Sequence, residues 1–373
     1  MTTAWADSAE IPDRVARVRE LQQFALARLP SMQLADGVFC HDVSASEGMR
    51  PQGRSLRYTL IVLIGLLRAE EHDIEHPFHA GGIRSRLFSD LGSEELTPGD
   101  IGLFLWAESR TDGRATGQLV NALSKALDRT RGMDALPGLE VAWILIGLTE
   151  ALTRTQSGPG EELMALARRQ LLVDRRSESG LLLHSARGPR RRFPNFASQI
   201  YGVLALAGLA RRNDDSEARE AARRAGDKLL ALQLGDGGWP WVFDAHRGTV
   251  VESYEIYSVH QDAMAPMGLG SLSAATDDER YRDAANFGLD WIWGRNELNA
   301  QMLNREAGIL YRSIRRKEKL DRAFLYGRTA ASYVKPQKLK DARDTIEVNR
   351  SDRPYHLGWV LEAWAGREDL AGS

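Results

Sequence analysis

Two stretches of the chain share one turn: Gln33-Leu34-Ala35-Asp36-Gly37-Val38-Phe39-Cys40-His41-Asp42 and Gln233-Leu234-Gly235-Asp236-Gly237-Gly238-Trp239-Pro240-Trp241-Val242-Phe243-Asp244. Each has an acidic residue, then a Gly suited to positive φ, then a short β-prone run. The same idea returns in weaker form as Ser177–Ser185 (SESGLLLHS) and Arg305–Ser313 (REAGILYRS). Unrelated helical bundles have no reason to share turn chemistry, so the recurrence points to a repeated structural unit.

The segments around these turns alternate in kind. Amphipathic helical patterns fall at about 13–29, 82–91, 115–129, 160–172, 215–233 and 279–293, as expected of half-solvated outer helices. Between them lie segments that are apolar on nearly all faces and rich in Gly and Ala. They begin at Arg57 (RYTLIVLIGLL), Asp100 (DIGLFLWAE), Leu139 (LEVAWILIGLTEAL), Asn195 (NFASQIYGVLALAGLA), Ser258 (SVHQDAMAPMGLGSL) and Arg353 (RPYHLGWVLEAWAG). A helix that is apolar all round is a buried helix. The expectation is an all-α (α/α)6 toroid, a barrel of helical hairpins with short β-like turns at its mouth. Gly65, Gly147, Gly202, Gly208, Gly268 and Gly270 are expected to permit close approach of the inner helices. No linker divides the chain, so one domain over residues 1–373 is expected. Residues 315–352 break the repeat and are expected to form a lid or insertion before the last inner helix.

In this pattern the sequence resembles the α/α-toroid proteins: the six-hairpin glycosidases, lyases and sugar epimerases on one side, the terpenoid cyclase and prenyltransferase toroids on the other. The segment from Gln233 to Trp239 is similar to the Q-x-x-D-G-x-W element of squalene-type cyclases, where Gln and Trp tie neighbouring helices together. That element names a fold more than an activity. The D-x-D-D signature of the cyclases is absent, and Asp277-Asp278-Glu279 starts an outer helix, where acidic residues serve the cap and the dipole.

Composition narrows the function classes. Of 373 residues, 43% are hydrophobic and 27% charged, and Lys plus Arg (49) nearly cancels Asp plus Glu (51). No whole-protein basic field points to nucleic acid or to an anionic membrane. A single cysteine, Cys40, excludes an internal disulfide framework and a four-cysteine zinc site. The longest apolar run, Leu60 to Leu67, is too short to span a bilayer. The polar, acidic N-terminus lacks a secretory stretch, which leads to the expectation of a cytoplasmic protein. His72, His76 and His79 have a ligand-like spacing, but Pro77 should end the helix before the third aligns, so no metal is expected there. Nucleotide-binding glycine fingerprints, a G-x-S-x-G elbow and an H-E-x-x-H helix are all missing, and no cofactor is expected.

In a toroid the inner helices run the same way, so their N-terminal ends meet at one funnel. Their starts carry Arg57 and Tyr58, Asp100, Glu140 and Trp143, Asn195 and Gln199, His260, Gln261 and Asp262, and Tyr355 and His356. The densest stretch, Asp236 to Asp262, adds Trp239, Trp241, Asp244, Arg247, Glu255 and Tyr257. Aromatic planes, carboxylates and Arg together suit a saccharide. His260, Asp262, Tyr257, Glu255 and Asp244 are the catalytic candidates. Arg57, Tyr58, Asn195, Gln199, Trp239, Trp241, Arg247, Gln261, Tyr355 and His356 are the binding candidates. Hydrolysis needs two carboxyl groups across the scissile bond. Elimination or epimerisation of a uronate needs a Tyr or His base with Arg or Asn quenching the carboxylate. The residues supply both sets. The leading expectation is an enzyme acting on an oligo- or polysaccharide, with acidic sugars favoured by arginine runs at Arg187–Arg192 and Arg312–Arg322. A terpenoid-cyclase-like toroid and a non-catalytic glycan-binding scaffold stay open.

Overall fold

The computed structural model describes residues 13–92, 96–152, 158–188, 190–317 and 343–372. The half-solvated segments form the outer helices α1 (Arg14–Arg28), α3 (Ala80–Ser89), α5 (Thr116–Arg129), α7 (Gly158–Arg169), α9 (Ser216–Leu232) and α11 (Arg280–Leu289). The all-round apolar segments form the inner helices α2 (Leu56–Glu71), α4 (Pro98–Glu108), α6 (Gly138–Ala151), α8 (Phe196–Asn213), α10 (Ala265–Thr276) and α12 (Pro354–Trp364). Every residue of α4 is buried. In α5 only one face is, with Leu119, Val120, Leu123, Ala126 and Leu127 turned inward. The difference between stripe and full coverage is therefore the difference between the two rings.

The inner helices close on themselves. Helix α2 packs against α4, α4 against α6, α6 against α8, α8 against α10, α10 against α12, and α12 back against α2. Each outer helix lies on an inner neighbour: α1 on α12, α3 on α2, α5 on α4, α7 on α6, α9 on α8 and α11 on α10. Glycine sets the tightest crossings: a Cβ on Gly147 would lie 2.1 Å from the Gly102 carbonyl oxygen, and one on Gly65 would lie 2.2 Å from that of Gly358. Gly208 and Gly270, expected to serve the same purpose, instead face open space, with nothing within 4 Å of a built Cβ.

The two strong turns are the same structure. In one, Asp36 Oδ1 accepts from the Val38 N–H, Gln33 Nε2 donates to the Gly37 carbonyl, and Leu34 pairs with Val38. In the other, Asp236, Gly238, Gln233, Gly237 and Leu234 repeat every bond, with Gly37 and Gly237 at φ +84° and +94°. Gln233 Nε2 also donates to the Ala284 carbonyl of α11, tying two hairpins together. Ser179 and Gly180 reproduce the turn in the third copy. The fourth differs: Gly308 turns a two-stranded hairpin between β6 (Leu303–Asn304) and β7 (Ile309–Leu310).

The remaining strands are short and lie on the loops that precede inner helices. Strands β1 (Asp42–Ser44), β2 (Pro51–Gln52) and β10 (Ser351–Asp352) form one sheet, in the order β10-β1-β2. Strands β3 (Val242–Asp244) and β4 (Thr249–Glu252) form a hairpin. Strand β8 (Ser313–Arg316) pairs with both β5 (Ile256–Tyr257) and β9 (Ile346–Asn349). The β8–β9 pairing joins the two ends of the expected lid, whose residues 318–342 lie outside the described residues. Among the described residues no helix is long and apolar enough to cross a membrane.

Candidate active site at the N-terminal mouth

The mouth is a groove of three adjoining depressions of about 490, 500 and 780 Å³. The first is lined by His41, Arg54, Arg57, Tyr58 and Asp100, at the starts of α2 and α4. The second shares His41 and Arg54 and adds Asp42 and Arg353. The third runs from Asp42 to Arg312, Asn349 and Ser351. The sheet of β1, β2 and β10 and the β5-β8-β9 sheet form its walls, so residues distant in sequence meet there.

Two aromatic groups define its floor. Tyr58 lies 4.6 Å from Tyr355 and 5.2 Å from His41, centroid to centroid. Tyr257 lies 5.0 Å from His260 and 6.4 Å from Trp241. Arg312 joins them: its guanidinium sits 5.1 Å from the Tyr257 ring centroid, and its charge also reaches Tyr355, Tyr58 and Glu255. Arg312 has no salt bridge among the described residues, and its buried Nε lacks a hydrogen-bond partner there. An isolated guanidinium beside aromatic faces is a site for an incoming anion.

The carboxylates of the mouth are, by contrast, engaged. Glu255 accepts from the Tyr257 hydroxyl at 3.0 Å, from Asn349 Nδ2 at 3.0 Å and from Ser313 Oγ. Arg57 holds Asp100 at 2.6 Å and Glu140 at 3.3 Å, and its guanidinium lies over Trp143. Arg353 holds Asp42 at 3.3 Å while donating to the Tyr58 hydroxyl at 2.7 Å.

Below the floor, a π-helical turn (His260–Met264) opens α10 and buries three polar side chains in succession. Asp262 is fully buried, with both carboxylate oxygens 2.8 Å from His356 Nε2. Burial raises the Asp262 pKa and His356 opposes that rise. Gln261 donates to the Tyr257 carbonyl. His260 is pushed down to about 3 by burial, with further contributions from His356 and Arg312. It is therefore a neutral imidazole at ordinary pH. Burial raises the Tyr257 pKa, and the Glu255 charge adds to it, so its hydroxyl stays protonated. Burial likewise lifts Tyr355, to about 12.

Of the sequence candidates, Tyr58 and Arg57 line the groove, and Glu255, Tyr257, Tyr355, Trp241 and His260 lie beneath it, joined to it through Arg312 and Tyr58. Asp262, His356 and Gln261 lie directly behind it. The others serve the scaffold. Asp244 makes a two-pronged pair with Arg192 at 2.6 and 2.7 Å and accepts from the His246 and Arg247 amides. Asn195 caps α8 by accepting from the Ser198 N–H and hydroxyl. Gln199 pairs both ends of its amide with the Leu182 backbone. Trp239 is fully buried and stacks 5.3 Å from Phe196. Arg247 is exposed on the β3–β4 turn. The sequence reading assigned no role to His41, Ser313, Asn349 or Arg353. The repeat held the signal for His41, since it ends the run after the first turn, where the chain crosses the mouth. Arg312 was visible only as one member of a basic run.

No family model matches the chain, and no curated protein matches it. Comparison of folds does find counterparts. A sugar epimerase from a ruminal bacterium superposes with a TM-score of 0.64 at 10% identity, over 95% of this chain and 98% of that one. A D-mannose isomerase gives 0.62 at 12% identity over 95% and 99%. An unsaturated glucuronyl hydrolase specific for heparin gives 0.64 at 13% identity over 95% and 97%. At such identities the likeness is one of fold: the chain is an α/α toroid.

Proposed function

We propose that this protein is a carbohydrate-active enzyme that binds an acidic saccharide in the N-terminal mouth and moves a proton at the carbon next to its carboxylate, as an epimerase or lyase does. One observation carries the reading: Arg312 stands among Tyr257, Tyr355 and Tyr58 without a salt bridge among the described residues, while the nearby carboxylates already have donors. A hydrolase would need a pair of carboxyl groups at liberty to act across a glycosidic bond. Arg312 instead offers the charge-quenching partner that a uronate needs when the adjacent C–H bond is broken. Tyr257, held protonated, is the proton donor, and His260, held neutral, is the acceptor. Arg312 helps depress the His260 pKa. A sugar carboxylate bound to Arg312 would offset that charge, so substrate would raise the basicity of its own acceptor. The names of the fold counterparts, sugar epimerase, mannose isomerase and glucuronyl hydrolase, agree with a saccharide in such a toroid.

The test is turnover of paired acidic and neutral saccharides in deuterated water. Epimerisation leaves deuterium at the carbon next to the carboxylate, elimination leaves an unsaturated sugar, and hydrolysis leaves only new reducing ends. Arg312→Gln is expected to lower kcat/KM on the acidic member roughly tenfold to hundredfold, the worth of one charged hydrogen bond. Hydrolysis alone, with Arg312→Gln unaffected, sinks the reading. Binding without turnover of any kind would replace it with the glycan-binding scaffold.

A further inference from the structure

A cavity of about 850 Å³ lies away from the mouth. It lies at the opposite end of the barrel, lined by the C-terminal halves of all the inner helices: Arg68 of α2, Arg110 after α4, Thr149 of α6, Arg211 of α8, Gly270 of α10 and Glu362 of α12. Two features of the sequence create it. Gly208 and Gly270 lack the side chains that would fill the space, since a Cβ on either meets nothing within 4 Å. Arginines then line the hollow beside aliphatic residues such as Ile146, Leu204 and Met267.

The charges there do not balance locally. Arg110 pairs with the buried Glu362, at 2.8 and 2.9 Å, and reaches Glu71 at 3.6 Å. Arg68 shares Glu71 at 3.3 Å. Arg367 and Arg211 line the same wall with no ion pair among the described residues. Over the whole lining six arginines face five carboxylates, Glu71, Glu150, Asp277, Glu279 and Glu362, and the cations crowd on the α2, α4, α8 and α12 side, where Arg68, Arg110, Arg211 and Arg367 stand with Glu71 and Glu362. Burial lowers the Arg367 pKa; Glu362 opposes, while Arg68, Arg110 and Arg211 each add to the fall, so these cations lie within mutual repulsion. On the far wall Arg282 is paired with Glu279, and Arg212 donates to the Thr149 carbonyl. Arginines at helix C-termini ordinarily cap carbonyl groups, as Arg212 does. Arg367 and Arg211 have no such bond among the described residues. Trp106 and Trp364 add flat apolar faces to the lining.

We infer that this hollow is a second binding site, distinct from the mouth, for a small phosphorylated molecule of sugar-phosphate size, its phosphate held by Arg367 and Arg211 and its carbon frame set against Trp364 and Trp106. Phosphate supplies the missing negative charge and enough acceptor atoms for several guanidinium forks at once. The volume is of the order that encloses a small ligand.

Calorimetric titration of the full chain with glucose 6-phosphate, inorganic phosphate and glucose tests the assignment. Binding of the sugar phosphate is expected. The Arg367→Gln/Arg211→Gln variant should weaken it about tenfold or more, Arg367→Lys should retain part of it, and Gly270→Leu should block it by filling the hollow. Arg312→Gln, at the other end, should leave it unchanged. Thermal unfolding shows whether each variant is folded. Inorganic phosphate binding with the same arginine dependence, without the sugar phosphate, keeps an anion site but identifies free phosphate as its occupant. The inference is overturned if neither anion binds at millimolar concentration, if glucose binds equally well, or if folded arginine and Gly270→Leu variants bind as the parent does. Loss of binding with Arg312→Gln alone would place the anion at the mouth, which overturns this site and leaves the reading of the mouth intact.

Discussion

His260 and Asp352 are both buried, and burial acts on them in opposite senses. It lowers the imidazole from 6.5 to about 3 and raises the Asp352 carboxyl from 3.8 to about 6, with His356 and Arg28 opposing the latter shift. Between about pH 4 and 6 the unfolded chain binds more protons than the native one at His260, so this residue makes stability rise with pH. At Asp352 the native chain binds more, so stability falls with pH over the same window. Asp262, also raised, acts in the same sense as Asp352. Each of these two shifts is worth on the order of 2–3 kcal/mol across that window. Substitution should therefore separate them. Asp352→Asn is expected to shift the slope of stability from pH 4 to 6 towards a gain, and His260→Gln to shift it towards a loss. Urea unfolding of both variants across that range gives the slopes, and parallel slopes would refute the assignment. At the same scale, tertiary partners change how three candidates read. Asn195, Gln199 and Asp244 look like binding residues because they are polar groups near inner-helix starts. Their partners, Ser198, Leu182 and Arg192, take up that polarity within the scaffold.

Among the helices, the pattern of hydrophobicity decides the ring, and glycine decides how closely the ring closes. The α4–α6 and α2–α12 crossings bring backbone onto backbone at Gly102–Gly147 and Gly65–Gly358. Gly147→Ala or Gly65→Ala must push these helices apart and is expected to cost about 1–3 kcal/mol or more. Gly208→Ala, in a helix of the same ring but facing the hollow, should instead stabilise by about 0.5–1 kcal/mol through helix propensity. Thermal melts of the three variants test this contrast directly; equal effects would mean that contact geometry is not what distinguishes them. All these glycines look alike in sequence, since each sits in an apolar helix beside a Leu. Whether a glycine lies at a crossing or beside a void depends on the neighbouring helix.

At the scale of the molecule, the inner helices close into a ring, and the described flanks of the segment between β8 and β9 are held by that ring and its strands. Arg316 pairs in register with Ile346, and Arg316 also holds the buried Glu252 at 2.8 Å. The ends of the segment are thus fixed by contacts that do not require its middle. Replacing residues 318–342 with a short Gly-Ser connection is expected to leave the melting temperature within a few degrees, because the β8–β9 pairing and the Arg316–Glu252 contact hold both flanks. If the segment serves as the lid expected from the sequence, kcat/KM falls in the same variant while stability holds; a collapse of the melting transition would show it to be part of the barrel.

The chain by itself determined the toroid. Turn chemistry and helix periodicity depend on residues within a few positions of one another, so the repeated Asp-Gly turns and the alternation of striped and fully apolar helices are legible from local pattern alone. Tertiary structure decided which polar groups remain available for chemistry. Asp262 meets His356 across 94 residues of sequence, and Glu255 meets Asn349 across another 94. Pairings of that range follow from how the ring closes, and no local pattern encodes them. Arg312 stands apart from its neighbours for the same reason. Arg315 and Arg316 each meet a carboxylate brought by another strand, and Arg312 has no ion pair among the described residues, its guanidinium lying over the Tyr257 ring.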